Sequence, residues 1–245
     1  MNGNVLRNVV VGTPFAVKSV DFTKNDPFFS SSEGKQKKRD SYEMEKHILT
    51  ICDHPNIVTI RMAINMGEVG LFANYSTGKT YLQLQRVYLI MDFAELGSLG
   101  PWLWTNKNSM LTTERMQMTV DLFKGLKYLH DMGITHGDIH LGNVLLFRED
   151  NRIVAKWADF GMGFIGQSDR FLPTSRQNLS NLLMKKRRDC EKLAYVYRRI
   201  WDFYNPDIDS EELKQLGERF IQFIACVRDG RDLDSAQQQF SDIIN

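Results

Sequence analysis

The stretch "GLKYLHDMGITHGDIHLGNVLL", residues 125–146, decides the fold of this chain. Its first half spaces Leu126 and Leu129 as a helix does and ends on Gly133, a residue suited to stopping one. Its second half gathers His136, Gly137, Asp138, His140 and Asn143, then turns apolar at Val144–Leu146. An aspartate five residues ahead of an asparagine supplies a carboxylate and an amide oxygen, the ligands a hard cation such as Mg²⁺ prefers. The carboxylate can also orient and deprotonate a hydroxyl, and phosphoryl transfer needs little more than such positioning and charge neutralisation. Taken alone, the same residues are polar punctuation before a strand, because Asn143 can simply cap a turn.

Composition narrows the classes. With 245 residues the chain has room for one large domain or two lobes. Hydrophobic residues at 42% and charged residues at 25% are ordinary for a globular protein. A net charge of +1 gives no global field for nucleic acid or an anionic membrane. The basic runs "KQKKR" (35–39) and "KKRR" (185–188) read as solvated loop or helix ends. Cys52, Cys190 and Cys226 are odd in number and lack metal-type spacing, so they read as reduced thiols of a cytosol-like compartment. No charged leader precedes an apolar core at the amino terminus, and no apolar run approaches the roughly 18 residues that span a bilayer. A soluble, cytoplasmic protein is the expectation.

Along the chain, β-branched runs at 5–11 and 15–20 around Gly12-Thr13-Pro14 predict a hairpin. "TKNDPFFSSSEGKQKKRD" (23–40) reads as a mobile loop. "SYEMEKHILTICD" (41–53) reads as a helix capped by Ser41, with Met44, Ile48 and Ile51 on one face. Strand character returns at "IVTIRMAI" (57–64) and "RVYLIMDF" (86–93), joined by an enlarged connection over 65–86. From residue 112 the period becomes helical, with Met118, Leu122, Leu126 and Leu129 in line. Two strand-like runs follow, "NVLLF" and "IVAKWAD", with "REDN" turning between them. Helices close the chain at 190–204, 210–229 and 233–244. Strands early and helices late, changing near residue 92, make an α+β order.

Five elements in one order carry a resemblance. "FAVK" ends in Lys18, a helix carries Glu45, and then come "HPNIV" (54–58), "HGDIHLGN" and "ADFG" with Asp159. Together with "YLIMDFAELGSL" (88–99), they make the chain similar to the protein kinase superfamily from Gly3 to about Phe240. The resemblance implies a two-lobed fold. A small antiparallel β lobe without its first strand would fill residues 1–91, and a larger helical lobe residues 92–245. It implies ATP and Mg²⁺ as cofactors. Lys18 would contact the α- and β-phosphates and pair with Glu45, although Glu43 is also available. Asp138 would be the catalytic base, and Asn143 and Asp159 would hold magnesium. Met91 would stand at the gatekeeper position, with Asp92 to Ala94 against adenine. Asp189 would be the buried helix aspartate that braces the catalytic loop.

Four departures from the family pattern qualify this. "GNV" at 3–5 matches only the last glycine and valine of the glycine-rich loop, Gly3 and Val5, so weak ATP binding is expected. Gly137 stands where most protein kinases carry the arginine that pairs with a phosphorylated activation segment, so activation by phosphorylation of 162–188 is not expected. His140 replaces the usual lysine and makes "HGDIH..N" closer to small-molecule kinases; it can still donate a hydrogen bond to the transferring phosphate. No "APE" lies between Asp159 and Asp189, and Arg231 occupies the place of the arginine that would pair with its missing glutamate. The first expectation is an active serine/threonine-type protein kinase acting on a protein substrate. The second is a pseudokinase that binds a partner kinase or its substrate, and the third a small-molecule kinase.

Overall fold

A computed structural model describes residues 4–10, 13–22, 32–66, 72–74, 79–81, 86–150, 152–166, 176–202, 204, 209–229 and 233–244. The chain divides into two compact units, one of residues 1–51 and 59–93, the other of residues 52–58 and 94–245.

In the first unit, strand β1 (Asn4–Val10) pairs antiparallel with β2 (Thr13–Asp21) as the predicted hairpin, but Thr13 and Pro14 belong to β2, opposite Val10 and Val9, rather than to the turn. Helix α1 runs Ser32–Ile51, followed by β3 (Ile60–Met66), the short hairpin β4 (Phe72–Asn74) and β5 (Lys79–Tyr81), and β6 (Arg86–Asp92). The main sheet has the order β1-β2-β6-β3 and is antiparallel, with β6 paired on both sides. Its β-branched and apolar residues Val17, Val20, Val87, Leu89 and Met91 are buried, joined by Ile48 and Leu49 of the helix. Helix α1 begins nine residues earlier than the sequence pattern suggests, and Ser41 is buried within it rather than capping it. The lead turns lack an apolar face, so hydrophobic periodicity misses them. They are held by solvent-side pairs one turn apart, Glu33 with Lys37 at 2.8 Å and Gln36 with Asp40 at 2.7 Å.

In the second unit come α2 (Leu99–Asn106), α3 (Thr112–Asp131), β7 (Ile134–Thr135), a 3₁₀ turn at Leu141–Asn143, β8 (Val144–Glu149), β9 (Arg152–Trp157) and β10 (Phe164–Ile165). The helices α4 (Arg176–Trp201), α5 (Glu211–Arg228), α6 (Leu233–Gln239) and α7 (Ser241–Ile244) complete it. Glu114 accepts from the Leu111 backbone N–H at 2.9 Å and so closes the start of α3. Gly133, with φ of +72°, turns the chain out of the helix as the sequence predicts. Met118, Leu122, Leu126 and Leu129 are all fully buried, and Trp157 of β9 packs among the largest core side chains. Gly125 lets α3 approach closely, since a Cβ there would come within 2.8 Å of the Asn56 carbonyl and 2.9 Å of the Trp157 ring.

Helix α4 starts well ahead of the residue-190 boundary read from sequence, so Asp189 lies in its middle. The architecture is α+β: an antiparallel sheet with one helix, then a mainly helical unit. Gly3, Arg231 and the 23–31 and 167–175 stretches lie outside the described residues. Among the described residues no helix is long and apolar enough to cross a membrane.

Candidate functional site

Strand β2 brings Lys18 into the interior of the first unit, where a lone ammonium would be costly. The cost is met by Glu45 on α1, whose two carboxylate oxygens lie 2.8 and 2.7 Å from the Lys18 Nζ. Both side chains are nearly excluded from water, at 8% and 3% exposure. Glu43 is exposed and pairs with Lys46 instead, so the choice between the two glutamates falls to Glu45. Val5 sits opposite Lys18 in the β1–β2 register. Met91 is buried near the end of β6, and Asp92 next to it pairs with Arg61. Ala94 follows just past the boundary of the first unit, its carbonyl accepting from Gly97 N–H at 3.1 Å.

The second unit carries the loop after β7, and Asp189 organises it from α4. Its carboxylate accepts the His136 N–H at 2.8 Å and the Gly137 N–H at 3.0 Å, and His130 Nε2 lies 3.2 Å away. Asp189 is 2% exposed, so these are strong, charge-assisted contacts to an otherwise costly buried charge. The His130 contribution was not anticipated; its position in the last turn of α3 was the available signal. His136 is fully buried, with its ring 5.3 Å from Trp157 and 4.8 Å from Phe160. Its Nδ1 accepts the Asp138 N–H at 3.3 Å. Burial lowers the His136 pKa below its ordinary 6.5 despite the opposing pull of Asp189, which keeps the ring neutral.

Beyond this anchor the chemistry-bearing side chains converge. Asn143 Nδ2 donates to the Asp138 carbonyl at 2.8 Å and to its carboxylate at 3.2 Å. That fixes the carboxylate and commits the amide nitrogen, leaving the amide oxygen for other partners. His140 Nδ1 accepts the Gly142 N–H at 3.0 Å, so in the neutral ring the proton sits on Nε2. That nitrogen is 3.5 Å from the Asp138 carboxylate, long for a hydrogen bond but close for a charge. The Ala158 N–H donates to the Asn143 carbonyl at 2.9 Å, which ties Asp159 to the same loop. Asp159 itself adopts φ of +63°, a strained conformation for a non-glycine residue and one that clusters at functional sites. Gly137 has φ of +80°, and a Cβ built there would collide with the Met162 carbonyl. The arginine usual at this position therefore has no room on this backbone.

A family model for the protein kinase domain matches residues 5–224. The chain belongs to the protein kinase family. Its relatives include the serine/threonine-protein kinase ssp1 of Schizosaccharomyces pombe, 29% identical over 69% of this chain and 23% of that protein. Ephrin type-B receptor 1 of Gallus gallus is 25% identical over 75% of this chain and 17% of its own length. A "Probable serine/threonine-protein kinase" of Dictyostelium discoideum is 36% identical over 56% of this chain and 14% of its own. The kinase domain here thus spans about a fifth of the length of these relatives.

Kinase chemistry implies ATP and Mg²⁺, and the donor set fits them. Among the described residues no three His, Cys, Asp or Glu side chains form a self-sufficient metal centre. One carboxylate and one amide oxygen suit a cation that takes its remaining ligands from phosphates and water, as Mg²⁺ does. Burial pushes the Cys52 thiol up to about 11, away from the reactive thiolate form.

Proposed function

We propose that this kinase domain is an ATP-dependent phosphotransferase of serine/threonine type that acts on a protein substrate. The observation that carries the reading is the loop in which Asn143 clamps Asp138 while Asp189 holds the two preceding backbone N–H groups. A turn-capping asparagine and a solvated aspartate would not require a buried charge beneath them. Asp138 accepts the hydrogen bond of the incoming hydroxyl and then its proton. Asn143 and Asp159 offer oxygen to magnesium. Lys18, paired with Glu45, neutralises phosphate oxygens, and Met91, Asp92 and Ala94 take the adenine; the family resemblance assigns Val5 and Gly3, the latter outside the described residues, to the phosphates. ATP with Mg²⁺ supplies the phosphoryl group and neutralises its charge. His140 adds a donor beside Asp138. A cytoplasmic location belongs to the same reading.

The serine/threonine assignment is supported by the Schizosaccharomyces pombe and Dictyostelium relatives, which are named as serine/threonine-protein kinases, the second as a probable one. The test is thermal stabilisation by ATP with and without Mg²⁺, together with radiolabel transfer to protein. Mg²⁺-dependent stabilisation and transfer to serine or threonine are expected, since a ligand bound only by the folded state raises its stability. No nucleotide-linked shift in the intact chain would favour the pseudokinase, and labelling of small hydroxyl compounds but never protein would favour a small-molecule kinase.

A further inference from the structure

The first half of α4 is a helix with too little to do for the fold. From Gln177 to Arg188 only Leu182 is buried, packed against Gly166, while Leu179, Leu183 and Met184 are 50%, 58% and 46% exposed. Three large apolar side chains in six residues are more than an isolated surface leucine, which needs no explanation. The same half carries Arg176, Lys185, Lys186, Arg187 and Arg188 with no carboxylate before Asp189, in a chain whose whole balance is +1. Lys185 rests over the Phe164 ring at 5.3 Å and Lys186 donates to the His130 carbonyl, so neither charge is cancelled by an acid there. Arg187 reaches Glu191 at 3.3 Å, an exposed pair of little strength.

We propose that this half-helix is a docking surface for an acidic polypeptide segment that also carries apolar side chains. Charge complementarity selects the occupant. A partner rich in Asp or Glu meets local positive potential that nothing acidic on this helix half offsets, and its leucine or phenylalanine side chains cover Leu179, Leu183 and Met184. The placement of the arginines favours a polypeptide over a membrane. A helix lying in a bilayer surface keeps its apolar face continuous with cations at the rim. Here Arg187 stands one turn above both Leu183 and Met184, interrupting that face, as an alternating acidic and apolar chain accommodates. Leu183 lies six residues before Asp189, about 9 Å along the helix axis. The docking surface is thus continuous with the helix that holds the Asp138 loop, yet it depends on no phosphoryl transfer and stands even for a catalytically silent chain.

Fluorescence anisotropy on the intact chain tests it, with a labelled peptide of Glu, Asp, Leu and Phe as probe. Its controls are a peptide with Lys for every acidic residue and vesicles of phosphatidylserine and phosphatidylcholine. The acidic peptide is expected to bind, to weaken on the order of tenfold in Leu179→Ser/Leu183→Ser and in Arg187→Glu/Arg188→Glu, and to weaken as salt rises. The two double variants probe separate contributions, and unchanged melting temperatures certify their folds. Absence of acidic-peptide binding, equal binding of the lysine peptide, indifference to both variants, or binding to the vesicles in place of the peptide would each overturn the proposal. Loss of ATP binding by Asp159→Asn with peptide binding intact separates this surface from the kinase reading.

Discussion

The carbonyl of Met162 occupies the space that a side chain on Gly137 would need. This contact joins the Asp138 loop to the segment after Phe160 through backbone alone. The β7–β10 pairing, with Thr135 opposite Phe164 and Ile134 opposite Ile165, and the Gly166 N–H to Gly133 carbonyl bond at 2.9 Å extend the same junction. The junction explains why the position is glycine better than the loss of an arginine does. Gly137→Ala should destabilise the chain by at least ~2 kcal/mol, from the left-handed φ and the overlap together. Gly137→Arg should be no milder and should not create a phosphate-responsive enzyme. Urea unfolding measures the first and phosphorylation of the 162–188 segment the second; a neutral Gly137→Ala would contradict the geometry.

Lys18 and Glu45 form a buried ion pair, and removing one partner strands the other. Lys18→Met should cost about 3–5 kcal/mol of stability because Glu45 is left uncompensated. The double variant Lys18→Met/Glu45→Leu should recover much of that loss while remaining unable to neutralise phosphate. Equal instability of the single and double variants in urea melts would show that packing, not charge, governs the site.

Asp138 is half-exposed and its carboxylate is oriented by Asn143, so its replacement should spare the fold and strike the chemistry. Asp138→Asn should lower kcat by about 10²–10⁴-fold with little change in melting temperature. His140→Ala should reduce kcat less than this and leave the ATP-dependent stabilisation intact. Phosphotransfer assays beside thermal melts check both, and full activity in Asp138→Asn would remove it as the base.

Acid should destabilise the protein near neutrality. His136 is held neutral by burial, and His54 is likewise lowered by burial and by Lys124. Below the ordinary 6.5 of an unfolded histidine, the unfolded chain binds protons that the folded chain refuses. Stability therefore rises with pH in that window, is complete above it, and is lost as pH falls through it. Urea midpoints from about pH 8 to about pH 5.5 should show this slope, and His136→Asn should flatten it. A slope unchanged in that variant would assign the effect elsewhere.

Much of the fold was legible because it is local. The pairing of Asn4–Val10 with Thr13–Asp21, the α3 face of Met118, Leu122, Leu126 and Leu129, and the stop at Gly133 follow from period and turn chemistry within a few residues. The early start of α1 was not legible, because its first turns are polar on every side and rely on Glu33–Lys37 and Gln36–Asp40 pairs. Nor was the length of α4, whose first half buries little.

The sequence by itself determined which chemistry-bearing groups are present and in what order: Lys18, Glu45, Asp138, Asn143, Asp159. Only the tertiary structure decided their partners. Lys18 finds Glu45 across 27 residues and passes over Glu43, while Asp189 reaches the Gly137 N–H across 52. Such choices rest on the cost of leaving a charge or an N–H buried without a partner, a penalty that exists only once the chain has closed around it.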